Sequence, residues 1–111
     1  MKHVLDRPVW SALATRHQAL AQGGELARRY SPSFALFAAT AADDAESLQA
    51  FADLVGPGDS VIMAQADPIA LPAGLSAIST AAAVQMVAEA PLQVVSDERV
   101  QRLTQDDVAE M

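Results

Sequence analysis

The sequence predicts an α/β fold in which two helices pack on a small mixed sheet of about four or five strands. Three observations lead there. Apolar residues recur at helical spacing over 9–21 and again over 48–55. Short apolar runs of strand length follow. Breaks bearing glycine or proline separate these stretches. Hydrophobic residues make up 51% of the 111 positions and charged residues 19%, a globular balance with material for one core and not two. Alanine supplies much of the apolar fraction, and only Trp10, Tyr30, Phe34, Phe37 and Phe51 bring large rings, so the core should be thin.

Taken in order, Asp6 can cap a first helix whose first turn tolerates Pro8. Val9, Trp10, Leu13, His17, Leu20 and Ala21 share one face of it, and Trp10 is its largest core candidate. Gln22 followed by Gly23-Gly24 marks the stop, since glycine readily takes a left-handed C-cap. Residues 25–33 fit neither pattern; they include Arg28-Arg29-Tyr30 and Pro32. The run 34–39 reads as a strand. Asp43-Asp44 opens a second helix with acids at its positive end; Leu48, Phe51, Leu54 and Val55 form its buried stripe, and Gly56-Pro57-Gly58-Asp59 ends it.

Residues 60–65 read as a mostly apolar strand. Asp67-Pro68 and Leu71-Pro72-Ala73-Gly74 bound a loop, and 75–79 with 84–88 read as two further strands, paired as a hairpin. Residues 92–98, after Pro91 and ending in Ser96-Asp97-Glu98, are linker-like. Arg99-Val100-Gln101-Arg102-Leu103 then alternates as a strand does. Thr104 occupies an N-cap position with Asp107 three residues on, a near capping box, and Val108 and Met111 begin an apolar stripe. A helix is announced and has barely begun when the sequence stops, so the C-terminal end is expected to be cut short inside a domain.

Charge and composition exclude several functions. Seven Lys and Arg against fourteen Asp and Glu leave a net charge of −7, which disfavours nucleic acid and anionic membrane surfaces as partners. Without cysteine there is no disulfide, thiolate nucleophile or thiolate metal site. The first residues lack the apolar run of a signal peptide and no stretch is long enough to span a bilayer, so the cytoplasm is the expected compartment.

No candidate catalytic, cofactor-binding or metal residue emerges. His3 and His17 lack a carboxylate set at ligand spacing; His17, beside Leu13 and Leu20, reads as a packed boundary residue with one hydrogen bond. Glu89 ends a strand and could line a cleft, although solvent exposure explains it as well. Arg28-Arg29 with Tyr30 could grip a carboxylate or another anion; a solvated connection is the plainer reading. No Gly-x-Ser-x-Gly elbow, Walker loop or Gly-x-Gly-x-x-Gly run is present.

The 99–111 stretch, Arg99-Val100-Gln101-Arg102-Leu103-Thr104-Gln105-Asp106-Asp107-Val108-Ala109-Glu110-Met111, resembles the opening of a GNAT N-acetyltransferase domain, a first strand ending in a Leu-Thr pair before an acid-rich first helix. Upstream, Leu5-Asp6-Arg7-Pro8-Val9-Trp10-Ser11-Ala12-Leu13 resembles the start of a subgroup with an N-terminal extension, and Ala27-Arg28-Arg29-Tyr30, the run 34–39, Gln65-Ala66-Asp67-Pro68 and Val84-Gln85-Met86-Val87 follow in the expected order. The resemblance implies an extension over 1–91, a linker over 92–98, and the first strand and helix start of an acetyltransferase core over 99–111. It implies acetyl transfer from acetyl-CoA to an amine that attacks the thioester directly. The family's Gln/Arg-x-x-Gly-x-Gly/Ala loop, whose backbone N–H groups hold the cofactor pyrophosphate, has no match here, and in the family it lies beyond the position of Met111. The chain alone is therefore expected to hold no acetyl-CoA and to be inactive, with an acetyltransferase core or a second copy as its partner. Two other readings stay open: a stand-alone interaction module binding through a sheet edge, and a small-ligand domain with a pocket near Trp10.

Overall fold

The computed structural model describes residues 3–110. A 3₁₀ turn, Val4–Asp6, comes first, closed by a reciprocal cap: His3 Nδ1 accepts from Leu5 N at 3.1 Å, and Asp6 Oδ2 accepts from His3 N at 2.9 Å. Asp6 thus serves this turn and not the first helix, α1 (Pro8–Ala14), whose N-cap residue Arg7 makes no side-chain capping bond. Pro8 takes the expected place in the first helical turn.

Helix α1 is half the length that its apolar spacing predicts. Thr15 Oγ1 donates to Ser11 O at 2.5 Å, and His17 N reaches back to Ala12 O at 2.8 Å, so the helix closes on itself at Thr15. A 3₁₀ turn, Gln18–Leu20, leads into strand β1 (Ala21–Gly23). Gln22 and Gly23, expected at a helix stop, are instead paired backbone. Gly23 has a φ of 112°, and a Cβ there would lie 2.4 Å from Ala27 O, so the tight β1–β2 hairpin requires glycine.

Strand β2 (Ala27–Tyr30) resolves the ambiguous stretch as the centre of a three-stranded antiparallel sheet of order β1-β2-β3, with β3 at Ala38–Thr40. The expected strand over 34–39 is therefore shifted. Phe34 and Ala35 donate to Ser31 O in a turn, and Phe34 and Phe37 stay exposed.

Alternate side chains of β2 leave opposite faces of the sheet. Ala27 and Arg29 face the second helix, α2 (Ala45–Leu54), whereas Arg28 and Tyr30 face α1 and the residues just after it. The sheet thus lies between the two helices. Asp44 caps α2 as its acid pair predicts, with Oδ1 accepting from Ser47 N at 2.7 Å; that bond holds its carboxyl below the ordinary range. Phe51 packs on Ala27 and Ala38 to form the core, with Leu54 and Val55 partly buried around it. Trp10 is only half-buried; Leu13 is the residue of α1 that disappears from solvent.

Among the described residues three strands form where four or five are expected. Of the four further strand expectations, only 60–65 touches the sheet. Ile62 makes a single parallel bridge to Phe37, with Ile62 N to Leu36 O and Ala38 N to Ile62 O both at 2.9 Å. Residues 75–79, 84–88 and 99–103 form no strand. The reason lies in the connections: Thr80-Ala81-Ala82-Ala83 offers no residue suited to a tight hairpin turn, and an unsupported pair of strands is at best marginal. The expected C-terminal helix is a 3₁₀ segment, Gln105–Glu110, with half of the capping box built: Asp107 Oδ2 accepts from Thr104 N at 2.7 Å. Met111, expected to extend its apolar stripe, lies outside the described residues.

Candidate functional site

The central strand gathers most of the polar architecture. Arg28 Nη1 donates to Leu13 O at 2.9 Å and its Nε to Gly24 O at 2.7 Å, while its guanidinium carbon sits 5.5 Å from the Trp10 ring centre. This cation–π contact ties β2 to α1. Arg29 is buried. Its Nη1 donates to Leu54 O at 3.1 Å and pairs with Asp59 Oδ2. The Arg29 guanidinium holds the Asp59 carboxyl below the ordinary carboxylate range. Hence Arg28 and Arg29 do not form a solvated connection: one stacks on a ring, and the other grips a carboxylate of its own chain. Sequence reasoning took Asp59 only as part of a helix stop. Its signal was local, an acid directly after a Gly-Pro-Gly break, but the pairing spans β2 to the end of α2 and is not periodic.

His17 lies just after α1 and not on its apolar stripe. Its Nδ1 and the Tyr30 hydroxyl are 2.6 Å apart, with the rings edge-on at 5.6 Å, and the Phe34 ring lies tilted against Tyr30 with centres 5.6 Å apart. The single hydrogen bond expected of His17 is present, made with a buried phenol that nothing in the spacing identified. His3 caps the first turn. Glu89 is exposed at a bend and lines neither of the two concavities described below.

Two concavities flank the sheet. A cleft of about 650 Å³ is lined by His3, Arg7, Trp10, Asp43 and Asp44, near the place where a pocket beside Trp10 was considered. Its charged groups are held by this chain: Arg7 Nη2 pairs with Asp43 at 2.8 Å, Arg7 Nη1 donates to Thr40 O at 3.0 Å, and Asp44 caps α2. The second is an apolar groove of about 380 Å³ beside α2, lined by Phe51, Val55, Val61, Met63, Ile69 and Leu71. Its one titratable group is Asp59, already paired with Arg29. The groove is built to bury apolar groups and holds no acid–base pair. Among the described residues no group of three or more His, Cys, Asp or Glu could hold a metal ion, and no helix is long and apolar enough to cross a membrane.

Comparison with protein-family models, curated proteins and solved structures finds no match to this chain.

Proposed function

We propose that this chain is the N-terminal part of a GNAT-like, acetyl-CoA-dependent N-acetyltransferase, serving as scaffold and substrate-side surface for a core that carries the cofactor loop. The observation that carries the reading is the state of residues 99–110. Val100 and Leu103 are both exposed, and directly after them Thr104 and Asp107 form the start of a helical segment. A strand-like run leading into a capped turn, with no sheet beside it, is what the first elements of a core need before their neighbours are added. On this reading the sheet grows to four or five strands, with the bridge at Ile62 as the seed of the fourth.

The chain has no Gln/Arg-x-x-Gly-x-Gly/Ala loop, and its charge of −7 repels a polyanionic cofactor. Calorimetric titration of this chain with acetyl-CoA should show no binding at micromolar concentration. The chain extended through the reading frame downstream of Met111 should bind acetyl-CoA and acetylate an amine. Micromolar binding by the chain alone, or a downstream frame without the glycine-rich loop, would overturn the proposal. The alternative, a stand-alone interaction module, draws on the outer edge of β1, which has no neighbouring strand among the described residues.

A further inference from the structure

We propose that the apolar groove beside α2 is filled by the 84–87 segment of a second copy of this chain, the two copies exchanging their extended arms reciprocally. The first ground is area. The chain exposes 9012 Å², whereas a compact protein of 11.6 kDa exposes about 5,800 Å². The surplus of about 3,000 Å² exceeds the roughly 800 Å² per partner of a standard interface. Much of it belongs to apolar residues beyond position 76, among them Ile78, Val84, Met86 and Val87.

The second ground is that residues 84–87 do not occupy the groove of their own chain. The lining ends at Ser79. Beyond it Gln85 Nε2 donates to Leu5 O at 2.6 Å, which draws the arm along the N-terminal turn and leaves Val84 and Met86 facing solvent. One chain thus presents both an unfilled apolar groove and an uncommitted apolar segment, the two halves of an isologous contact.

Charge decides between a second copy and a foreign partner. A chain of net charge −7 repels its own copy least where the meeting surfaces carry no acids. From Pro68 to Ala88 the sequence has no Asp, Glu, Lys or Arg, and this stretch supplies both one wall of the groove, Ile69 and Leu71, and the segment proposed to enter it. A basic partner attracted by the acids would find none of them free in the groove, since Asp59 is held by Arg29.

The chain has no cysteine, so introduced thiols report cleanly. Ile69→Cys and Met86→Cys variants, mixed at about 100 μM under mild oxidation, should form a disulfide-linked heterodimer about tenfold faster than either variant links to itself. Sedimentation should show a dimer of the unmodified chain, and Val84→Glu, a change at an exposed site, should raise its dissociation constant at least about tenfold. A monomer at that concentration, or an intramolecular disulfide in the double variant at high dilution, would overturn the proposal. So would a Val84→Glu chain that associates as before. None of these readouts involves acetyl-CoA, so failure here and failure of the acetyltransferase reading are separately visible.

Discussion

Residues 8–63 and residues 76–110 are both rich in apolar side chains, yet they treat them in opposite ways. In the first region Leu13 and Phe51 are almost wholly buried; in the second Met86 is 92% exposed and Val94 95%. Hydrophobicity alone does not distinguish them. The first region has closures that act over short sequence distances: a glycine hairpin between β1 and β2, the Asp44 cap on α2, and the turn at Gly58. Each closure brings an apolar face against another before much chain entropy is lost. The second region turns at 97–100, where Val100 N donates to Asp97 O at 3.0 Å, yet no strand there is folded on the next. Its radius of gyration reflects this, 17.1 Å for the chain against about 13 Å for a compact domain of this length.

Damage should accordingly be severe in one region and slight in the other. Phe51→Ala removes the centre of the core and should cost about 3–5 kcal/mol in urea unfolding. A cost below about 1 kcal/mol would mean that Phe51 does not organise the core. Gly23→Ala forces an L side chain into a left-handed conformation and against Ala27 O. A loss of about 1–3 kcal/mol in thermal unfolding is expected, and a neutral result would show that the hairpin is not the one described.

Trp10→Ala removes a half-buried ring and its contact with Arg28, so the expected loss is smaller, about 1–2 kcal/mol. Comparing its unfolding midpoint with that of Phe51→Ala would rank the two sides of the sheet directly.

Acid sharpens the comparison further. Asp59 has a folded pKa below its ordinary value of 3.8, chiefly through the hydrogen bond from Arg29. A depressed carboxylate contributes stability that is fully present above its unfolded value and is lost as pH falls through the lower folded value. Below about pH 4, therefore, the unmodified chain should lose urea resistance more steeply than Asp59→Asn. Equal slopes would show that the pair is not coupled to folding. At the small end, Val94→Ala in the arm should change stability by less than about 0.5 kcal/mol. Hydrogen exchange at low protein concentration should be fast through 99–110 and slow in β2 and α2. Protection across 99–110 would erase the distinction between the regions.

Little of the candidate site was legible beforehand. The arginines of β2 stood out as a basic–aromatic cluster, but their partners did not. Trp10 lies on another element from Arg28, and Asp59 is separated from Arg29 by the whole of α2. Pairing across that distance leaves no periodic trace. The groove was likewise hidden, because it forms only where 61–63 comes up beside α2 and the loop at 69–75 closes over it. His17 was visible as a one-bond boundary residue, but not its partner Tyr30.

The sequence by itself determined the α/β class, the two helices and the start of the second one. These follow from local chemistry: apolar spacing, an acid at an N-cap, proline in a first turn and glycine at a break. It also determined where strands would be sought. Only the tertiary structure decided which of them would pair. Residues 18–21 carry helical spacing, yet beyond a 3₁₀ turn at 18–20 the backbone continues as a strand, because β2 offers 21–23 backbone partners and Thr15 has already closed the helix. Residues 84–88 and 99–103 were expected as strands yet stay unpaired, because a strand gains its hydrogen bonds only from a neighbour and none lies alongside among the described residues.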